Sequence, residues 1–154
     1  MTSDPPKLRR LLGVLRADTP ERSPQPGLAS LGALVEQVRS AGVPVELVLA
    51  GERRPLPPGI ELTGYRIVQE ALTNVLKHAG PGARSEVRIS LDNDAISIEI
   101  TDDGHAATTL PGSGHGIMGM RERALLLGGS LTAGPRADGG FRVVARLPIG
   151  GGAA

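Results

Sequence analysis

An α+β sandwich, one sheet with helices on one of its faces, is the fold class that this 154-residue sequence predicts. Three observations carry the prediction. After residue 27, apolar residues recur at helical spacing in three segments and alternate with a period of two in others. The segments run helix, strand, helix, strand, strand, loop, helix, strand, strand, so hairpins adjoin helices without strict β-α-β alternation. Gly, Pro or Asp clusters punctuate each change of period.

Taken in order, "KLRRLLGVLR" sets Leu8, Leu11, Leu12 and Leu15 on one stripe of a short basic helix. Residues 1–16 read as the tail of a helix whose partner lies elsewhere or on another copy, or as an ordinary helix folding back on the domain. "ADTPERSPQPG", residues 17–27, is a Pro- and charge-rich linker. "LASLGALVEQVRSAG" spaces Leu28, Leu31, Leu34, Val35 and Val38 helically, and Gly42 suits a C-terminal cap. "VPVELVLAG" is a strand and "ERRPLPPG" a loop. "IELTGYRIVQEALTNVLKHA" is a long helix with Leu62, Tyr65, Val68, Leu72, Val75 and Leu76 among its apolar positions, stopped by Gly80, Pro81 and Gly82. Two alternating strands follow, Val87-Ile89-Leu91 and Ile96-Ile98-Ile100, joined at "DND". From Asp102 to His115 the chain has no apolar period. "GIMGMRERALLLGG" is a helix. Two last strands, around Leu131 and from Phe141 to Leu147, flank the turn "RADGG". The domain ends near Pro148, and the Gly- and Ala-rich residues 149–154 read as a disordered tail.

Composition narrows the function. With 40% hydrophobic residues and 1% aromatics, the core is built from Leu, Val, Ile and Ala. Seventeen basic and sixteen acidic residues give a net charge of +1, which leaves no electrostatic footprint for direct nucleic-acid binding, and base stacking lacks its aromatics. The absence of cysteine excludes disulfides and thiolate metal sites. No apolar run reaches the roughly 18 residues of a membrane helix.

The long helix carries the first chemistry. Glu70, Asn74 and His78 lie four apart on one line, with Lys77 beside it. A solvated face explains Glu and Lys without further assumption. Asn74 is harder to explain so, because asparagine favours caps over helix interiors. Its amide oxygen is a hard neutral ligand suited to Mg²⁺, which keeps several waters and binds phosphates. Glu70 could then orient or deprotonate a water, Lys77 meet a phosphate as a point charge, and His78 donate a further hydrogen bond.

A second cluster ends the strand "IEITDDGHA". Asp102 can accept a hydrogen bond from an exocyclic amine such as that of adenine, and Gly104 lets a ligand approach the backbone. "DDG" is also ordinary turn chemistry. Third, "GSGHGIMGM" places Gly112, Gly114, Gly116 and Gly119 just before a helix, a cradle for phosphate. Gly114–Gly119 spells G-x-G-x-x-G, but no strand ends immediately before it, which excludes a dinucleotide fingerprint. The lack of the accompanying strand lysine and catalytic loop excludes a protein-kinase glycine loop.

The order of these elements resembles the GHKL ATPase superfamily and, more closely, the catalytic ATP-binding domain (HATPase_c) of bacterial two-component sensor histidine kinases. "YRIVQEALTNVLKHA" looks like that family's N box, "ITDDGHA" like its first glycine box, and "GSGHGIMGMRERALLLGGSL" like its second. "GMRER" and the short loop before it resemble the subgroup whose response regulators carry helix-turn-helix output domains. The similarity runs from about Leu28 to Pro148. It implies the two-layer α/β sandwich of the Bergerat fold, a mixed sheet with helices on one face, and ATP between the long helix and a lid over residues 103–113. It also implies roles: Asn74 on the Mg²⁺, Glu70 as polarising carboxylate, and Lys77 and His78 on phosphates. Asp102 would accept from the adenine amine, with Gly104 beneath the base. Gly114, His115 and Gly116 would stand at the phosphate end.

Two positions depart from the family pattern. Ala106 stands where the first glycine box carries a second glycine, and Phe141 where a threonine near adenine is common. On this resemblance the chain's histidines, His78, His105 and His115, all fall inside the implied ATP site, and none has the context expected of the phosphoacceptor, a helix with an acidic neighbour ahead of the ATP domain. The resemblance therefore implies a catalytic fragment: residues 1–16 as the end of a dimerisation helix, 17–27 as linker, 28–148 as the ATP domain. The partners it implies are ATP, a separate helical dimerisation and phosphoacceptor domain, a response regulator, and a second copy in a full-length homodimer. It places the domain in the cytoplasm and leaves open a membrane anchor in the parent kinase. An anti-sigma-factor-type serine kinase and a non-catalytic nucleotide-sensing module remain as alternatives.

Overall fold

The computed structural model describes residues 25–52, 54–104 and 113–149. The leucine-striped segment, most of the linker, residues 105–112 of the expected lid and the tail 150–154 lie outside the described residues, and with them His105 and Ala106. A 3-10 turn at Leu28–Ser30 leads into α1 (Leu31–Ser40), β1 (Val45–Ala50), α2 (Pro58–His78), β2 (Ser85–Leu91), β3 (Ala95–Asp102), α3 (Ser113–Leu126), β4 (Ser130–Pro135) and β5 (Phe141–Pro148). This is the predicted order.

Among the described residues five strands form one sheet in the order β1-β2-β3-β5-β4. β1 runs parallel to β2, and the remaining pairs are antiparallel. Period-two alternation sends Val87, Ile89, Ile96, Ile98, Ile100, Val143, Ala145 and Leu147 to one face, where all are buried. The helices cover that face: α1 against β1, α2 against β2, β3 and β5, and α3 against β4 and β5. The core is aliphatic, as the scarcity of aromatics requires.

Local signals account for the boundaries. α2 starts at Pro58, where a missing N–H costs nothing, two residues before its apolar stripe begins. Glu61 in its first turn accepts the Leu28 N–H at 2.7 Å and so ties the chain's entry to this helix. Ala79 caps α2, its N–H still bonding the Val75 carbonyl, before Gly80 turns away at φ +89°. Gly42 follows α1 at φ +103° and donates to the Arg39 carbonyl, as its capping role predicts. At the β2–β3 hairpin one Asp92 oxygen accepts the N–H groups of Asp94 and Ala95, both at 2.7 Å.

Two expectations shift. Ile149 is 3% exposed and its N–H donates to the Asp94 carbonyl, so the packed domain runs one residue beyond Pro148. α3 begins at Ser113, three residues before the start the sequence suggests. Its apolar period becomes visible only at Ile117, because glycines contribute nothing to a hydrophobic pattern. α3 buries Met120 and Ala124 but leaves Met118, Leu125 and Leu126 exposed. No helix among the described residues is long and apolar enough to cross a membrane.

Candidate functional site

α2 positions the polar stripe by burying its opposite arc. Ile67, Val68, Ala71, Leu72 and Val75 pack into the core, which rotates Glu70, Asn74 and His78 onto the helix's flank. All three are half-buried; Lys77 is exposed. The stripe is therefore not a freely solvated face. The Glu70 carboxyl lies against α3: a methyl built on Gly116 would stand 2.6 Å from Glu70 Cδ. Burial, and to a smaller extent the Lys77 charge, holds the His78 imidazole below its ordinary pKa. At pH 7 His78 is neutral and offers one N–H donor and one acceptor.

β3 delivers Asp102. Its even-numbered residues face the helices, so the strand that buries Ile96, Ile98 and Ile100 carries a carboxylate to the edge of the core, 8% exposed. Oδ1 accepts the Gly104 N–H at 2.8 Å. Burial raises the carboxyl above its ordinary pKa. The Gly104 N–H opposes that rise, Asp103 adds to it, and the Phe141 N–H and the Arg136 charge oppose it.

Gly104 is buried, and the reason is packing against protein. A methyl there would stand 2.6 Å from Ala79 Cβ and 2.7 Å from its Cα. The strand end thus meets the last turn of α2 beside His78. Gly114, His115 and Gly116 lie within the first turns of α3 by their backbone. The predicted loop of glycines ahead of a helix is, at Gly114 and Gly116, part of the helix itself. Gly112 lies outside the described residues.

The structure accordingly makes two contacts along this helix: Gly104, two residues after Asp102, packs on Ala79 at the end of α2, and Glu70 packs on Gly116 of α3. Asn74 sits one helical turn from both Glu70 and His78. Sequence reasoning missed two features here, the Arg136–Gly140 turn and Thr73. Arg136 and Gly140, read only as a turn, lie against Asp102: the Arg136 guanidinium donates to the Asp102 carbonyl at 3.1 Å, and a methyl on Gly140 would stand 2.8 Å from the Asp102 carbonyl carbon. Thr73 is the other. Of the three buried polar side chains among the described residues, Ser85 donates to the Thr101 carbonyl and Asp102 is bonded, whereas the Thr73 hydroxyl has no partner. A buried unpaired hydroxyl costs about 1–3 kcal/mol. Thr73→Val is therefore expected to stabilise the ligand-free domain by about 1 kcal/mol, read as a higher urea midpoint at unchanged m-value. A lower midpoint would mean that the hydroxyl is satisfied in solution.

Among the described residues no three His, Cys, Asp or Glu side chains gather to hold a metal. The donor set here is one neutral amide, Asn74, beside one carboxylate, Glu70. That fits a hard ion which takes most of its ligands from a phosphorylated substrate and water, and does not fit an all-protein cage.

A mixed sheet under three helices, with an acid-glycine strand end packed on the end of the long helix, is the α/β sandwich expected from the sequence. The chain belongs to the histidine kinase-, DNA gyrase B- and HSP90-like ATPase family, whose model matches residues 59–151. It is an ATP-binding domain of the kind found in sensor histidine kinases. It is 40% identical over 125 residues to the sensor histidine kinase YxjM of Bacillus subtilis (strain 168), covering 80% of this chain and 30% of that one. Identity to the sensor histidine kinase LnrJ of the same strain is 34% over 123 residues, covering 79% and 30%. The chain thus spans under a third of the length of these curated relatives. Among solved structures, the mycobacterial sensor histidine kinase MprB matches with a TM-score of 0.56 at 25% identity, covering 79% of this chain and 91% of that one. The histidine kinase domain of the Erythrobacter litoralis EL346 blue-light activated histidine kinase shares the fold, with a TM-score of 0.63 at 19% identity over 93% of this chain and 70% of that one.

Proposed function

We propose that this domain binds Mg-ATP and supplies the γ-phosphoryl group to a histidine on a separate helical dimerisation domain, for relay to a response-regulator aspartate. In the transfer the bond from the γ-phosphorus to the β-γ bridging oxygen breaks, a phosphorus–nitrogen bond forms, and ADP leaves. Such transfers depend on positioning and charge neutralisation more than on covalent chemistry by the protein. The observation that carries the reading is the buried Asp102 carboxylate beside Gly104 and the half-buried flank of α2, in a chain of this family.

Asp102 accepts from the adenine amine and fixes the base. Asn74 holds Mg²⁺, which when bound offsets charge on the phosphates. Lys77 contributes a second positive charge, reaching from the surface, and neutral His78 donates a hydrogen bond. Gly114, His115 and Gly116 line the phosphate end through the first turns of α3. Glu70, already seated between α2 and α3, polarises the attacking imidazole. The acceptor domain, the response regulator, a homodimeric parent and a cytoplasmic setting all belong to this reading.

Titration calorimetry of ATP with Mg²⁺ and with chelator tests it. Asn74→Ala is expected to weaken ATP binding roughly tenfold or more with Mg²⁺ present, the scale of one contact to a charged group, and to change little in chelator. Equal loss in both conditions would remove Asn74 from the metal. Glu70→Ala should bind ATP normally and lose transfer to an added acceptor domain. A wild-type domain that binds ATP yet transfers nothing to that domain would favour a nucleotide-sensing module.

A further inference from the structure

We infer that Arg136, in the turn between β4 and β5, is a positioning residue for nucleotide recognition, acting through Asp102; the inference rests on the reading of Asp102 as the base-recognising carboxylate. Its guanidinium donates to the Asp102 main-chain carbonyl at 3.1 Å. Its own backbone N–H closes the turn on the Gly140 carbonyl at 2.9 Å. Gly140, at φ +91°, lays its bare Cα against that same Asp102 carbonyl. Phe141, the next residue, is the register partner of Asp102 across β3 and β5. The turn therefore grips the carboxylate-bearing residue from three consecutive directions: a side-chain donor, a close backbone contact and a ladder pairing.

A strand end is where pairing stops, and an unanchored end frays. Arg136 supplies the anchor at the residue whose side chain has to face a base. It also brings positive charge to a carboxylate that burial drives toward its neutral form. Other charges stand close by on the packed elements. Asp103 follows on the strand and accepts the Arg84 N–H at 2.7 Å. Asp138 pairs loosely with Arg136 at 3.7 Å. Lys77 and His78 occupy the last turn of α2, against which Gly104 packs. Of these, Arg136 is the cation that directly bonds the Asp102 residue.

The test is a double-mutant cycle on the full 154-residue chain, with displacement of a fluorescent ATP analogue by Mg-ATP followed from pH 5 to 8. Arg136→Met is expected to weaken ATP binding roughly 3- to 30-fold at pH 7, the coupling range of residues in one hydrogen-bond network. It should also move the acid limb of the binding profile to higher pH. Arg136→Lys keeps the charge and should restore the position of that limb. In an Asp102→Asn background, Arg136→Met should add little. Equal losses in the two backgrounds, or an acid limb that stays put, overturn the positioning role while leaving Asp102 as the recognition residue. A wild-type chain that binds no ATP, or Asp102→Asn binding as tightly as wild type, overturns the site reading together with this one.

Discussion

Asp102→Asn is expected to weaken Mg-ATP binding by about one to two orders of magnitude, since a hydrogen bond to a charged group is worth about 1.5–3 kcal/mol, and to leave the domain folded. The substitution is close to isosteric. Its amide oxygen can still accept the Gly104 N–H that Oδ1 accepts at 2.8 Å. The second oxygen becomes an NH₂ group, so a donor meets the donor of the adenine amine. Stability should move the opposite way. Burial raises the folded-state pKa of Asp102 above its ordinary value. An acid shifted upward stabilises the fold while protonated, below the unfolded pKa, and that contribution is lost as pH rises through the raised folded value. At pH 7 the ionised carboxylate is thus a cost to the fold, retained for its chemistry. The asparagine variant should melt at the same temperature as wild type or higher at pH 7, and its advantage should shrink in acid. Wild-type ATP binding should fall as pH drops through the raised value. Loss of binding accompanied by a lower melting point at pH 7 would mean that Asp102 is a structural residue.

How much of this was legible beforehand follows from which physics writes itself into a sequence. Period-two runs such as Ile96-Ile98-Ile100 give both the strand and the face it buries, and Gly42, Gly80 and the Asp92 turn announce their own boundaries. The α2 stripe drew a chemical reading because Asn74 contradicts helix preference. What stayed hidden depends on approach between distant segments. Gly104 was read as room for a ligand, but its missing side chain is filled by Ala79, twenty-five positions earlier in the chain. Arg136 looked like turn polarity because nothing local marks an arginine that reaches across to Asp102. α3 was started late because Gly114 and Gly116 lower the apparent helical signal in its first turns, where Gly116 faces Glu70. Thr73 passed unnoticed since a threonine one place from Asn74 carries no pattern until burial strips its water.

Gly104→Ala should produce a large loss of stability, because the methyl has nowhere to go. It would overlap the Ala79 carbonyl oxygen and stand 2.6 Å and 2.7 Å from the Ala79 Cβ and Cα. Those are backbone or near-backbone atoms at the end of α2, so no rotamer change relieves the contact. Overpacking of this kind costs about 1–3 kcal/mol and at times more, which for a domain of this size lowers the melting temperature by roughly 3–10 °C. The strain is delivered to the turn that carries Lys77 and His78, so relief by outward movement of α2 separates them from Asp102. ATP affinity should therefore fall even at temperatures where the variant is fully folded. Gly80→Ala is the comparison: at φ +89° it strains its own backbone, but its methyl meets nothing within 4 Å, so it should lose stability with affinity nearly unchanged. If Gly104→Ala melts within a degree of wild type, the strand end and α2 are not in contact in solution, and the site is looser than the packing of Gly104 on Ala79 requires.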